Sequence, residues 1–493
     1  MLENYFKPYR TAIIGADLIS KTSGKPILYA DWTASGKLYR PIEEHILNEL
    51  GPYVANPHTE NTETGRITTR AYHDARATIK SHVNADHRHA LICTGAGATS
   101  AINKLQRILG LKTPQPTPSF WQKLFKPAIC RPAVFVTHME HHSNQTSWNT
   151  CNVDVFVVNR APDGQPCYKH LEALLKEHKA RPLLIGAFTA CSNVTGVQTD
   201  VRRLARLMHQ AGGIICVDYA CSAPYVEIDM TPDEPDAHID AIYFSPHKFL
   251  GGPGTAGVLI FDKTLYTLNE CAPDKPGGGT VMWTNPWGEQ AFYKDIEKRE
   301  DGGTPPFLQV IKAGLAINLK DQMGVDKIAT REAHLRRILM NGISAIDQVQ
   351  ILEPNAKNRL CIVSFYATGI HHNLIVWLLN DKFGIQARGG CSCAGTYGHI
   401  LLNVDRPQSD QIVSKVNRGD LADKPGWVRV SLHPTNTDEE AYFVVDAIKS
   451  IVANIDEWQK DYEFNPKTGD FMPINSTVSI DTVPLKSVQL YSA

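Results

Sequence analysis

The chain has 493 residues, roughly three typical domain lengths, enough for one to three domains around a large core. With 43% hydrophobic and 20% charged residues, its composition excludes wholesale disorder, collagen-like repeats and low complexity. Lys plus Arg at 50 against Asp plus Glu at 51 leaves no net field to attract nucleic acid or an anionic membrane, so neither is expected as a partner and local chemistry must explain function. The opening MLENYFKPYRT lacks the basic-then-apolar pattern of a secretory signal, and no apolar run reaches the ~20 residues of a spanning helix. The 11 cysteines are odd in number and scattered, which suits a reducing cytoplasm better than a disulfide framework.

In chain order, residues 1–30 form an N-terminal segment expected to pack with a later, smaller domain, and 31–310 form a large domain. Within it, apolar runs at 89–93, 133–138, 154–159, 183–189, 214–218, 241–245 and 257–262 alternate with helical patterns, which predicts an α/β layer with a mostly parallel, seven-stranded sheet. One helix is well delimited: Asp200 can cap it, Val201, Leu204, Ala205 and Met208 fall at helical spacing, and Gly212-Gly213 ends it. The stretch 111–132 holds five prolines and reads as an insertion, with Phe120, Trp121 and Phe125 as its local packing residues. Helical patterns from Leu308 and Lys327, then strands near 359–366 and 427–432, predict a smaller α+β domain over 311–457. The rest, 458–493, is polar and punctuated, an arm over the surface or a disordered tail.

Four segments carry chemistry. Lys248 stands just past a strand in Ser245-Pro-His247-Lys248, before a glycine-rich turn. A strand-end lysine is usually one that snorkels to water, but another strand, ending in Asp218, lies about one βαβ unit upstream, so acid and amine can meet at one sheet edge. The turn Thr94-Gly-Ala-Gly-Ala98-Thr99-Ser100 leads from a strand into a helix and can seat a phosphate, although a dinucleotide fingerprint or a simple helix entry has the same form. His138-Met-Glu-His141-His142 offers an imidazole to stack on a ring; it has neither zinc-protease spacing, so no metal is expected there. Asn193 follows the 183–189 strand, and ligands of open α/β sheets bind at such carboxyl ends. Pyridoxal phosphate needs a lysine for its Schiff base, an acid facing its ring nitrogen and donors for its phosphate, and these segments hold all three.

Together these residues resemble the class V aminotransferase family of fold type I pyridoxal-phosphate enzymes, in its cysteine desulfurase and selenocysteine lyase branch, over about residues 27–450. The resemblance implies that Lys248 bonds the cofactor, His141 stacks on its ring, Asp218 faces the ring nitrogen, and Asn193 lies near the ring hydroxyl and substrate carboxylate. It implies that Ala98, Thr99, Ser245 and His247 hold the phosphate, that Cys221 neighbours the ring hydroxyl, and that Thr304 reaches the phosphate of a second subunit, hence a homodimer with shared sites. Arg429 is implied as the clamp on the substrate carboxylate, with Asn56, His58, Ser35 and Arg388 on the substrate side. In Arg388-Gly-Gly-Cys391-Ser-Cys393, Cys393 falls at the family nucleophile's position, with Cys391 as an extra neighbour. The implied reaction removes sulfur or selenium from cysteine or an analogue, giving alanine and a persulfide for a sulfur-acceptor protein. Cys221 departs from the glutamine or histidine usual there, with Ser222 able to take over its contact, and Trp32 and Asn56-Pro-His58 also diverge. That keeps open an aminotransferase or another lyase acting on a different amino acid, and beyond enzymes a scaffold that binds without turnover.

Overall fold

The computed structural model describes residues 2–112 and 130–474. Most of the expected insertion, with Phe120, Trp121 and Phe125, lies outside the described residues, as does the chain from residue 475 onward. All seven expected strands form, as β1 (His89–Thr94), β2 (Ala133–Thr137), β3 (Asp154–Val158), β4 (Leu184–Thr189), β5 (Ile214–Asp218), β6 (Ala241–Phe244) and β7 (Gly257–Asp262). They make one sheet in the order β1-β7-β6-β5-β4-β2-β3. Pairing is parallel except at β7, which runs antiparallel to both β6 and β1.

Near-continuous apolar strands such as Ile214–Asp218 mean burial on both faces. Alternate residues accordingly divide between two cores. Phe135, Ile215, Val217 and Ile242 pack with Leu204 and Met208 of α3 (Val201–Gln210) and Val310 and Ile317 of α4 (Phe307–Met323). Val134, Val136, Cys216 and Tyr243 pack with Ile102 and Leu105 of α1 (Ala98–Ile108) and Trp148 of α2 (His142–Asn149). The α3 boundaries are those expected: Asp200 accepts from the Arg203 N–H at 3.0 Å, and Gly212 turns the chain at φ 75°.

A second, four-stranded antiparallel sheet has the order β8-β9-β11-β10, from β8 (Val349–Ile351), β9 (Ile362–Ala367), β10 (Arg388–Gly390) and β11 (Trp427–Ser431). Helices α5 (Val325–Ser344), α6 (His372–Phe383) and α7 (Asp438–Trp458) supply Leu335, Leu378 and Ile448 to its core. The amino-terminal segment joins both units. Phe6 is buried in the larger core, while Leu28–Tyr29 pairs in parallel with Ile385–Gln386 of the smaller one.

Beyond Trp458 the chain forms a hairpin, β12 (Tyr462–Asn465) with β13 (Asp470–Pro473). It is seated on α6: Tyr462 donates to Asp381 at 2.7 Å, Trp377 to Asp470 at 3.1 Å, and Asn373 to the Gly469 carbonyl at 2.8 Å. Over its described part, the segment expected as a surface arm or a disordered tail is an ordered hairpin. The alternating aromatics Tyr462 and Phe464, then a turn closed by Gly469 at φ 65°, are the hairpin signal within it. Among the described residues no helix is long and apolar enough to cross a membrane.

Candidate active site

Five of the seven strands of the larger sheet deliver a reactive residue at or just past the carboxyl end. The turn 95–97 follows β1, His141 follows β2, Asn193 follows β4, Asp218 ends β5 and Lys248 follows β6. These residues share one cavity of about 390 Å³ with Ala98, Thr99, Cys221, Ser245, His247, Arg388, Ser392, Cys393 and Arg429. The path of the chain past Lys248 depends on Gly36, whose Cβ, if present, would fall 1.9 Å from the Phe249 carbonyl oxygen.

Lys248 is half-buried on the cavity floor, and its desolvation there pulls its pKa down, while the neighbouring Cys221 and Asp218 pull it back up. Burial pushes the Asp218 carboxyl up to about 6, opposed by a bond from the Ala220 N–H at 2.8 Å and by the Lys248 charge. Burial, then the Lys248, His142 and Arg429 charges, lowers His141 to about 4, so the ring is neutral near pH 7. Its Nδ1 accepts from the Ser143 N–H at 3.1 Å, which fixes the tautomer and the ring's angle at the start of α2.

At the opposite end of this floor, the Ser245 hydroxyl accepts from the Ala98 N–H at 2.9 Å, and Thr99 and Ser143 share a 2.7 Å hydroxyl contact. A Cβ on Gly97 would come within 3.0 Å of the Ser245 oxygen, so a side chain there would crowd the α1 amino terminus where an anion can sit. Several buried polar atoms of this cavity have no protein partner: His247 Nε2, Asn193 Oδ1 and Arg429 Nε. Unpaired buried donors and acceptors are costly, and their grouping around Lys248 and the buried Asp218 carboxyl fits a polar, phosphate-bearing aromatic cofactor.

The other wall belongs to the smaller unit. Arg429 is buried in β11 and donates to the Asn193 carbonyl at 3.0 Å and to Asp31 at 2.7 Å; Arg388 reaches the other Asp31 oxygen at 3.0 Å. One carboxylate thus aims two guanidinium forks at the cavity. Between them runs the cysteine loop. Ser392 and Cys393 both adopt left-handed backbone, φ 49° and 57°, a conformation that costs non-glycine residues roughly 1–2 kcal/mol each. The loop is pinned by Asn193 donating to the Ser392 carbonyl at 2.7 Å and by the His142 N–H donating to the Cys393 carbonyl at 2.8 Å. Cys393 is exposed and lines the cavity, whereas Cys391 is half-buried and does not line it.

Four sequence-derived candidates stand apart from this group. Ser35 is absent from the cavity lining, its hydroxyl donating to the Gly36 carbonyl at 3.1 Å. Asn56, His58 and Thr304 gather in a different cavity, where Asn56 donates to Thr304 at 3.2 Å and His58 contacts the Gly303 carbonyl at 3.2 Å. Sequence reading assigned no individual role to Asp31, which opens the substrate-side segment 31–35, nor to Ser143 or Cys191. Ser143 had a local signal, a serine two residues after a helix-capping histidine. The carbonyl of Cys191 accepts the Cys221 thiol at 3.0 Å, a contact between different strand ends with no trace in the sequence.

The architecture is that of the fold type I pyridoxal-phosphate enzymes. The aminotransferase class-V family profile matches residues 28–444, and the chain belongs to that family. It is 28% identical over 385 residues to a probable cysteine desulfurase of Staphylococcus aureus strain COL, covering 76% of this chain and 85% of that one. A probable cysteine desulfurase of Halalkalibacterium halodurans is 26% identical over 381 residues, covering 76% and 86%. Among solved structures, the apo cysteine desulfurase of Thermococcus onnurineus superposes with a TM-score of 0.72 at 21% identity, over 91% of this chain and 98% of that one. The cysteine desulfurase CsdA of Escherichia coli does so at 0.69 and 20%, over 92% and 98%.

Proposed function

We propose that the protein is a pyridoxal-phosphate-dependent, cysteine desulfurase-like enzyme that takes sulfur, or selenium, from cysteine or an analogue and leaves it on Cys393. The observation that carries this reading is that an exposed cysteine on a strained loop opens onto the same cavity as Lys248, a desolvated strand-end lysine beside Asp218. Lys248 would bond the cofactor, Asp218 would face its ring nitrogen, His141 would stack on the ring with Asn193 and Cys221 beside its hydroxyl, and Ala98, Thr99, Ser245 and His247 would hold the phosphate. When bound, pyridoxal phosphate supplies an electron sink that acidifies the substrate Cα–H and loosens its Cβ–S bond.

Around that sink the chain's own groups divide the work. Arg429, with Asn193 and Arg388, binds the substrate carboxylate through a planar fork already aimed by Asp31. Lys248, its pKa lowered by burial, holds an amine able to take the Cα proton. The Cys393 thiolate attacks the substrate sulfur: an Sγ–S bond forms as the Cβ–S bond breaks, and the carbon keeps the electron pair and is protonated. One cysteine and one Cys393 thiol give one alanine and one persulfide, which a sulfur-acceptor protein then removes.

The separate cluster of Asn56, His58 and Thr304 supports a homodimer in which this second cavity faces the partner's site and Thr304 reaches its phosphate. All the cysteines are free thiols, which supports a reducing, cytoplasmic setting. Single-turnover reaction with L-cysteine tests the reading. Alanine formed by the parent and lost in Cys393→Ala, with cofactor absorbance kept in both, supports it. A keto acid, with the cofactor left in its amine form, favours the aminotransferase reading that Cys221 keeps open.

A further inference from the structure

Two hydroxyls of the active-site cavity have no part in the chemistry above. Thr33 and Ser392 both line it, at 2% and 9% exposure, and neither Thr33 Oγ1 nor Ser392 Oγ has a partner among the described residues. On the sheet wall, by contrast, hydroxyls are bonded within the protein: Thr99 shares its contact with Ser143, and Thr189 donates to the Cys191 carbonyl at 2.8 Å. A buried hydroxyl without a partner is costly, so two of them lining a ligand cavity mark where a ligand's polar atoms belong.

The backbone places both close to Arg429. Arg429 and Ser431 are two residues apart on β11, so their side chains share one face of that strand. The Ser431 hydroxyl accepts from the Thr33 N–H at 3.0 Å, which sets Thr33 beside the guanidinium, on the same chain segment as Asp31. Ser392 is tied there through Asn193. Its carbonyl accepts from Asn193 Nδ2 at 2.7 Å, while the Asn193 carbonyl accepts from Arg429 Nη1 at 3.0 Å, so one residue holds both.

Charge and donor supply name the group that fits. Arg388 and Arg429 against Asp31 leave this wall one positive charge, the complement of a single carboxylate. A carboxylate offers about four acceptor sites on its two oxygens, and the edge of one guanidinium fills about two of them. Arg429 still has its Nε–H unpaired for this, and the two hydroxyls supply the remaining donors. A substrate thiol is too weak an acceptor to satisfy them.

We infer that Thr33 and Ser392 each donate a hydrogen bond to the α-carboxylate of the amino-acid substrate beside Arg429. This rests on the cofactor and substrate placement proposed above, and it adds two specificity-determining residues to that site. An amine without the carboxylate leaves both hydroxyls and the guanidinium buried and unpaired, so the site selects amino acids over simple amines.

The test is equilibrium binding to full-length, cofactor-loaded protein, read from the cofactor's visible absorbance. The probes are L-alanine and ethylamine, which is alanine without its carboxylate. Thr33→Val keeps the side chain's shape and Ser392→Ala removes only the hydroxyl; each should weaken L-alanine binding by roughly tenfold or more, while ethylamine binds parent and variants alike. Thr33→Ser should keep the parent's affinity, and a loss equal to that of Thr33→Val would overturn the role of its hydroxyl. Unchanged L-alanine binding in Thr33→Val and Ser392→Ala overturns the inference, as does equal weakening of both ligands, which would put the hydroxyls on the cofactor. Arg429→Lys tells the two levels of failure apart. If it weakens L-alanine binding and the hydroxyl variants do not, only the hydroxyl assignment is lost. If it too leaves L-alanine unaffected, the carboxylate binds elsewhere and the substrate placement is lost with it. Neither probe carries sulfur, so the result is independent of whether cysteine is desulfurated.

Discussion

The two walls of the active-site cavity are built in opposite ways. On the sheet side, Lys248, Asp218 and His141 end or follow strands packed between two cores and line the cavity, and their pKa values are displaced chiefly by burial. On the other side, Cys393 is exposed on a loop with two consecutive left-handed residues, held by bonds from Asn193 and His142. A fixed, desolvated wall suits binding and proton transfer. In the proposed reaction that thiol meets a substrate and then an acceptor, which needs access, and the strained turn holds it out toward the cavity.

The largest effect expected from breaking this division is at Lys248. Lys248→Ala should lower turnover by at least roughly 10³-fold and abolish the cofactor's lysine-bound absorbance, with circular dichroism unchanged. Next, Cys393→Ala should stop alanine formation from cysteine while that absorbance persists, and Cys391→Ala should retain most of the rate because Cys391 does not line the cavity. Steady-state assays of both variants separate the two thiols. Arg429→Lys keeps the charge but loses the planar fork. It should raise KM for the amino acid by roughly tenfold, about 1.4 kcal/mol, with a smaller change in kcat.

The smallest expected effect is on stability against pH. His141 titrates near 6.5 when unfolded and at about 4 in the fold, so between those values the unfolded chain binds more protons. Its contribution is complete above about 6.5 and is lost as pH falls toward 4. His141→Phe keeps a ring and removes the titration, so its unfolding midpoint should fall less steeply across that window than the parent's. Comparing the two proteins cancels the opposite trend from Asp218, whose raised pKa favours the fold at lower pH.

The two walls also differ in how far the sequence discloses them. The sheet wall was legible because each residue lies next in the chain to an apolar strand, so that Ile214–Asp218 ends on its own acid and Ala241–Phe244 runs on to its lysine. The loop wall was legible only in part. Cys393 was located by the resemblance of its loop to the family's nucleophile loop, but Asp31, which aims both Arg388 and Arg429, is brought to them by the pairing of the chain's start with Ile385–Gln386 and with Ser431. The hairpin after Trp458 was hidden for a related reason, since its aromatics find their partners at Trp377 of α6 and at its capping His371, and its polar face reads as loop.

The most direct test is the mass of the Cys393 peptide after one turnover with L-cysteine, digested without reductant. A gain of one sulfur atom on that peptide, matched by one equivalent of alanine, is the predicted result. An unmodified Cys393 peptide beside a full equivalent of product would contradict the account.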